Sequence, residues 1–257
     1  MTNTTDKPSA FSTRESLALV RGLIFYVGYG STMALSGLAV LIASPVCRFP
    51  MRYRVLSQFS IAIIYWARLV CGMRFICEGK EHIPATPCVV VSNHESAWET
   101  FFLGWTFRPQ ATVLKKELLN IPLFGWGLRM LRPIPLDRDK PTAALKLVLR
   151  EGTAAISEGC WVVIYPEGTR VRPMMTGRFN KGGAMLAIRS GVPILPIAHN
   201  AGSCWPAGLV RKYPGLIRVR IGRPIETAGR TVDEVHGELE SAIRQVMQEL
   251  RAGQGAV

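Results

Sequence analysis

No two cysteines in this chain stand in a C-x-x-C spacing. Cys47, Cys71, Cys77, Cys88, Cys160 and Cys204 are scattered among apolar neighbours, which predicts reduced thiols in a protein facing the cytosol and no zinc or other metal site. No internal repeat or low-complexity segment is present, so solenoid and array architectures are excluded. The first thirteen residues lack a basic, cleavable signal pattern and read as a loose tail. Acidic residues are scarce: 18 Asp and Glu stand against 31 Lys and Arg, a formal net charge of +13. That balance favours anionic partners, whether phospholipid headgroups, phosphorylated substrates, an acidic carrier or nucleic acid, without choosing among them. With 257 residues and 48% hydrophobic content, the chain has material for one large α/β domain or a domain plus an appendage.

Charge is absent altogether from Gly22 to Val46, an apolar run with Gly and Ser interruptions. At roughly 1.5 Å per residue it is long enough to cross a hydrocarbon core of about 30 Å, which makes it a membrane-helix candidate. Arg48, Arg52 and Arg54 follow at once, and positive charge beside an apolar run marks the cytoplasmic or headgroup side. The next apolar run, Val55 to Val70, holds Gln58, Tyr65, Trp66 and Arg68, the composition of a helix lying in the interface. Together the two runs predict a helical anchor; two core helices of a soluble protein are the alternative.

From Met73 the texture changes to short β-rich runs separated by helical periods, which predicts a mostly parallel sheet covered by helices. Strands are expected at Met73 to Cys77, Cys88 to Ser92, Ala111 to Leu114, Trp161 to Tyr165, Ile194 to Ala198 and Ile217 to Ile221. Helices are expected at Trp98 to Phe107 and Thr142 to Glu158. A last helix opens on the capping-box pattern Thr231-Val232-Asp233-Glu234 and should pack without taking part in chemistry. The predicted organisation is a tail (1–13), membrane-anchoring helices (14–72) and an α/β domain (73–257).

Chemistry concentrates where the buried run Val89-Val90-Val91 breaks into Ser92-Asn93-His94-Glu95-Ser96-Ala97-Trp98-Glu99. On one continuous helix, residues five apart are rotated by roughly 140°, so His94 and Glu99 can meet only if the chain turns between them. A carboxylate that meets a histidine fixes its tautomer and makes the other ring nitrogen a competent base toward a hydroxyl. Taken alone, the pattern also fits a capping histidine. A second apolar run, Trp161 to Tyr165, ends abruptly in Pro166-Glu167-Gly168-Thr169-Arg170. In open α/β sheets ligands gather beyond the carboxyl ends of strands, where both loops should lie. Gly168 permits close backbone approach, Thr169 offers a hydroxyl, and Arg170 offers a fork suited to a phosphate monoester, although an ordinary turn with a surface ion pair fits too. Arg132-Pro133-Ile134-Pro135-Leu136-Asp137-Arg138 places another arginine after an extended run.

In Asn93-His94 through Glu99, Leu136-Asp137-Arg138, Pro166-Glu167-Gly168-Thr169-Arg170 and Val192-Pro193-Ile194-Leu195-Pro196-Ile197, in that order, the chain resembles the glycerolipid acyltransferase family, in particular its bacterial 1-acylglycerol-3-phosphate O-acyltransferases. The resemblance covers roughly Val55 to Ile225. It departs from the family at Glu99, where Asp is usual; the extra methylene moves the carboxylate by about one bond length and keeps its charge.

The resemblance implies an enzyme that moves a fatty acyl group from a thioester, on coenzyme A or acyl carrier protein, to the sn-2 hydroxyl of lysophosphatidic acid, giving phosphatidic acid. It implies His94 as general base and Glu99 as its partner. Arg138 and Arg170, with Lys115, would hold the acceptor phosphate, and Glu167, Gly168 and Thr169 would bind the glycerol moiety or shape the loop. No cofactor beyond the thioester co-substrate is implied. The expected setting is a bacterial inner membrane, its bilayer a partner, with the site facing the cytoplasm. Another lyso-lipid acceptor, such as a lyso-ornithine lipid, and a non-catalytic lipid binder are the other readings. A nucleic-acid partner is not expected, because the basic residues are dispersed and no aromatic-basic recognition motif occurs.

Overall fold

The computed structural model describes residues 13–253 apart from Arg138, Met174 and Thr176. The expected N-terminal tail, Thr13 excepted, lies outside the described residues, as do residues 254–257.

Two long helices come first, α1 (Thr13–Ala43) and α2 (Phe49–Cys71). The sequence predicts the first apolar helix over Gly22 to Val46; it instead starts at Thr13 and stops at Ala43. Arg14, Glu15 and Arg21 interrupt the hydropathy without interrupting the helical backbone, whereas Pro45 disfavours helix in the residue before it. Pro50 sits in the first turn of α2, where its missing N–H costs nothing, and Gly72 closes that helix at φ 70°. The helices run antiparallel. Trp66 Nε1 donates to Phe25 O at 3.1 Å, and the indole lies so close to Gly28 that a Cβ there would come within 2.4 Å of the ring.

The sheet has seven strands among the described residues: β1 (Met73–Glu78), β2 (Val89–Ser92), β3 (Gln110–Lys115), β4 (Ile134–Leu136), β5 (Trp161–Ile164), β6 (Ile194–His199) and β7 (Gly215–Ile221). Their order is β1-β7-β6-β2-β5-β3-β4, and every neighbouring pair is parallel except β6 with β7. This is the mostly parallel α/β sheet expected from the sequence. Between the strands run α3 (Trp98–Thr106), α4 (Phe124–Arg129), α5 (Pro141–Ser157) and α6 (Gly182–Ser190), and α7 (Val232–Ala252) closes the fold. Its capping box is present, with the Glu234 N–H donating to Thr231 Oγ1 and the Thr231 N–H donating to Glu234 Oε2.

Successive strand residues point to opposite faces, so the central strands feed two apolar layers. Val90, Val163 and Leu195 pack with Phe25 of α1, Ile63 and Ala67 of α2, and Trp98 and Phe102 of α3. Val89, Val162 and Ile194 pack with Val148 of α5, Leu186 of α6, and Leu239 and Ile243 of α7. The N-terminal helices therefore share a core with the sheet. α1 is attached at both ends: a Cβ on Gly22 would fall 1.9 Å from Val210 O, and one on Gly37 would fall 2.3 Å from Leu123 O.

The topology has one consequence for chemistry. β6, β2 and β5 are adjacent and parallel, so the chain leaves all three at the same edge of the sheet.

Candidate active site

His94 leaves the end of β2 and Glu99 sits in the first turn of α3; the turn between them folds the two together. His94 Nδ1 lies 2.8 Å from Glu99 Oε1. The same oxygen accepts the backbone N–H groups of Ser96 at 2.8 Å and Glu95 at 3.1 Å, so the loop that carries the histidine also wraps its partner. Burial pushes the Glu99 carboxyl up, but the hydrogen bonds from His94 and the Ser96 N–H work against it, and the pKa is held below the usual range. Glu99 is therefore a buried carboxylate, its side chain 1% exposed, against a histidine whose side chain is 12% exposed. An ionised Oε1 makes His94 Nδ1 the protonated nitrogen and leaves Nε2 with its lone pair. The His94 ring stacks on Tyr165, centroids 4.1 Å apart and planes 21° apart, which fixes its orientation.

The loop after β5 closes on the same histidine. Val171 N donates to His94 O at 2.7 Å, and His94 N donates to Glu167 Oε1 at 3.3 Å. Burial pushes the Glu167 carboxyl up to about 7, against hydrogen bonds from its own N–H and that of His94. Its other oxygen, Oε2, is buried without a partner among the described residues. Gly168 turns the loop at φ 68°, a backbone that L side chains rarely adopt, and Gly168, Thr169 and Arg170 are exposed. The charge of Arg170 is felt at Tyr165 beside His94 and at Tyr26 and Tyr29 of α1. Lys115 ends β3, exposed and 3.6 Å from Glu117 Oε2. Arg138 lies outside the described residues; in the sequence it comes after Asp137, which follows the last residue of β4.

The structure thus brings together His94, Glu99, Glu167 and Arg170 and sets Lys115 on a neighbouring strand end. It also places beside them a histidine that the sequence pattern had not singled out. His199, at the end of β6, faces the same carboxylate: its Nε2 lies 3.9 Å from Glu99 Oε2. The signal was present in the sequence, since Ile194 to Ala198 runs into His199-Asn200 much as Val89 to Ser92 runs into Asn93-His94. A base with one free nitrogen, at the strand ends of an α/β sheet and beside an exposed guanidinium, can activate a hydroxyl on an anionic substrate.

The family model described as Acyltransferase matches residues 74–200, which span the His94 loop, the Glu167 loop and His199. Over 235 residues the chain is 40% identical to the 1-acyl-sn-glycerol-3-phosphate acyltransferase of Pseudomonas aeruginosa, covering 90% of this chain and 91% of that protein. It is 29% identical over 216 residues to the enzyme of the same name from Saccharomyces cerevisiae, covering 80% of this chain and 70% of that one. Its fold matches the crystal structure of the 1-acyl-sn-glycerophosphate (LPA) acyltransferase PlsC from Thermotoga maritima with a TM-score of 0.78 at 26% identity, over 93% of this chain and 98% of that one. The protein is an acyl-transferring enzyme of the α/β class. The chain belongs to the acyltransferase family, as the resemblance read from its motifs implied.

Proposed function

We propose that this enzyme transfers a fatty acyl group from an acyl thioester, carried on coenzyme A or acyl carrier protein, to the sn-2 hydroxyl of lysophosphatidic acid, with His94 as general base. The observation that carries the reading is the 2.8 Å contact of His94 Nδ1 with buried Glu99, which leaves Nε2 to act on the acceptor. In the reaction, Nε2 takes the hydroxyl proton as the oxygen attacks the thioester carbonyl carbon. The tetrahedral intermediate collapses with rupture of the carbon–sulfur bond, and the proton held on Nε2 passes to the departing sulfur. Ester and free thiol result, and the histidine returns to its starting state; since the acceptor itself is the nucleophile, no acyl-enzyme is required. Glu99 stabilises the transient imidazolium. Arg170, joined by Arg138 and by Lys115 at the end of β3, holds the acceptor phosphate, so that binding far from the reacting hydroxyl orients it. Glu167, Gly168 and Thr169 shape the loop that brings Arg170 to the histidine, the Glu167 carboxylate through its contact with the His94 N–H.

Two helices long and apolar enough to cross a membrane, by length and composition, suggest membrane association. Because α1 is fastened to the α/β domain at both Gly22 and Gly37, we infer that the hairpin lies in the headgroup region of a bacterial inner membrane with the site toward the cytoplasm. An exposed stripe on α1, including Leu23, Val27, Leu38 and Ile42, supplies the apolar face, and Arg48, Arg52 and Arg54 supply charge toward anionic lipid.

The test is acyl transfer by purified protein to lysophosphatidic acid, with acyl-coenzyme A and acyl carrier protein as parallel donors, for the parent and His94→Ala. Turnover with either donor that disappears in the variant is expected. Near-parental turnover in His94→Ala would sink the assignment of the base, and transfer only to a lyso-lipid without the phosphate monoester would overturn the acceptor.

A further inference from the structure

Asn93 and His199 are joined by three hydrogen bonds across 106 residues of chain. Asn93 Nδ2 donates to His199 O at 3.0 Å, His199 N donates to Asn93 Oδ1 at 3.0 Å, and His199 Nε2 contacts Asn93 O at 2.8 Å. Both residues are buried, 0% and 2% exposed, on the adjacent strand ends of β2 and β6. The tautomer of His199 follows from its surroundings. Ala201 N donates to Nδ1 at 3.2 Å, so Nδ1 carries the lone pair and Nε2 carries the hydrogen. That single N–H therefore donates to Asn93 O and lies 3.9 Å from Glu99 Oε2, the carboxylate oxygen that is buried without a hydrogen bond among the described residues.

Two parts of the proposed catalytic pair thus depend on one ring. Asn93 O belongs to the peptide that leads directly into His94, and Glu99 is the group that orients His94. We propose that His199 is a positioning residue for acyl transfer: its Nε2–H fixes the peptide preceding His94 and faces the open oxygen of Glu99, locking base and carboxylate in one arrangement. The inference rests on the reading of His94 as the general base. His199 touches neither substrate in this role, so its removal impairs the chemical step more than acceptor binding. If His199 merely filled space in the core, an apolar side chain of similar bulk would serve.

The variants that separate these roles are His199→Leu, which fills the space without a donor, and His199→Gln, whose amide nitrogen reaches about as far as Nε2 and can still donate to Asn93 O. Each is measured for kcat, acceptor KM and thermal unfolding beside His94→Ala. His199→Leu should lose about tenfold or more in kcat, with the acceptor KM changed by less than about threefold, and His199→Gln should recover most of that loss. Parental kcat in His199→Leu, a loss confined to KM, or a loss matched by the fraction of unfolded protein would overturn the proposal. Should His199→Leu fail to fold, His199→Asn takes its place, since its shorter amide cannot reach Asn93 O; equal kcat in the Asn and Gln variants would then refute the positioning role. An active His94→Ala would bring down the reading of the base itself, whereas an inactive His94→Ala with unimpaired His199 variants would bring down this inference alone.

Discussion

Arg251, near the end of α7, reaches across the molecule to Glu95, the residue next to His94: its guanidinium lies 3.4 Å from Glu95 Oε1 and donates to Met175 O at 3.2 Å. Both side chains are largely buried, and the Glu95 N–H is one of the donors to Glu99 Oε1. The last turn of α7 is therefore tied to the loop that holds His94 and Glu99 together, although the amphipathic pattern of α7 speaks only of packing.

Arg251→Ala should destabilise the fold by about 1–3 kcal/mol, because it strips a charged partner from a buried carboxylate. Chemical denaturation of parent and variant measures this. Adding Glu95→Gln to Arg251→Ala should restore part of the loss, since the remaining group is then neutral; strictly additive losses would mean that the two residues act independently.

Glu99→Gln should cost on the order of a hundredfold or more in kcat, and Glu99→Asp much less. A glutamine whose oxygen keeps the three Oε1 contacts must turn its amide N–H₂ toward the Nε2–H of His199, donor against donor. It also lacks the charge that stabilises an imidazolium. Aspartate retains the charge and must recover one bond length through a small shift at the start of α3. Steady-state turnover decides; a Gln variant indistinguishable from the parent would reduce Glu99 to a structural part.

Much of this site was legible because its parts are local. Val89 to Val91 announces a strand, Ser92-Asn93 its break, and the five-residue spacing of His94 and Glu99 demands the turn that the structure has. What stayed hidden depends on long-range topology. β4 has only three residues and two prolines nearby, too short for a periodic signal, and α6 begins with two glycines that mask a helix. The antiparallel pairing of β7 with β6 also stayed hidden: Pro206, Gly208 and Pro214-Gly215 mark turns in the connection after His199, but turn residues do not say which strand β7 will join. His199 itself becomes meaningful only when the strand order seats β6 beside β2. Glycines read as interruptions in an apolar run, such as Gly28 and Gly37, prove to be points of close approach.

Glu167 and Glu99 contribute to the pH dependence of stability with opposite signs. Burial raises Glu167 from its ordinary value of 4.5 to about 7, so the folded protein binds that proton more tightly than the unfolded chain. Its contribution is fully present below about pH 4.5 and is lost as pH rises through about 7. Glu99 has the opposite sign: held low, it contributes stability above the ordinary carboxylate range and loses it as pH falls. Denaturation midpoints measured from pH 4.5 to 8 should therefore fall less steeply in Glu167→Gln than in the parent. Superimposable profiles would show that Glu167 titrates normally.

The outward face of α1 should govern membrane binding. Val27 and Ile42 are 74% and 67% exposed, and a charge placed there has to enter the headgroup–acyl boundary. Val27→Glu with Ile42→Glu should weaken binding to anionic phospholipid vesicles by about tenfold or more while leaving the fold intact, since neither side chain serves the core. Vesicle cosedimentation measures the loss. Unchanged binding would mean that another surface meets the bilayer.

The phosphate assignment makes a demand on substrate preference. Arg170 is exposed on a loop whose backbone is bonded to His94, so a phosphate held by its fork would sit within a short lipid backbone's reach of the base. Losing one charge-assisted partner of a phosphate costs about 1.5–3 kcal/mol, roughly tenfold or more in acceptor binding. Arg170→Ala and Arg138→Ala should each raise the KM for lysophosphatidic acid by that factor and leave the thioester KM less affected. Arg170→Lys should recover only part, because a point charge does not reproduce a planar fork. The deciding comparison is lysophosphatidic acid against monoacylglycerol, which lacks the phosphate. The parent should strongly prefer the phosphorylated acceptor, and each variant should lose much of that preference because the alanine removes what distinguishes the two. A preference unchanged in both variants would move the phosphate elsewhere, and Lys115, exposed at the end of β3 between the strands that precede the two arginines, is the next residue to substitute.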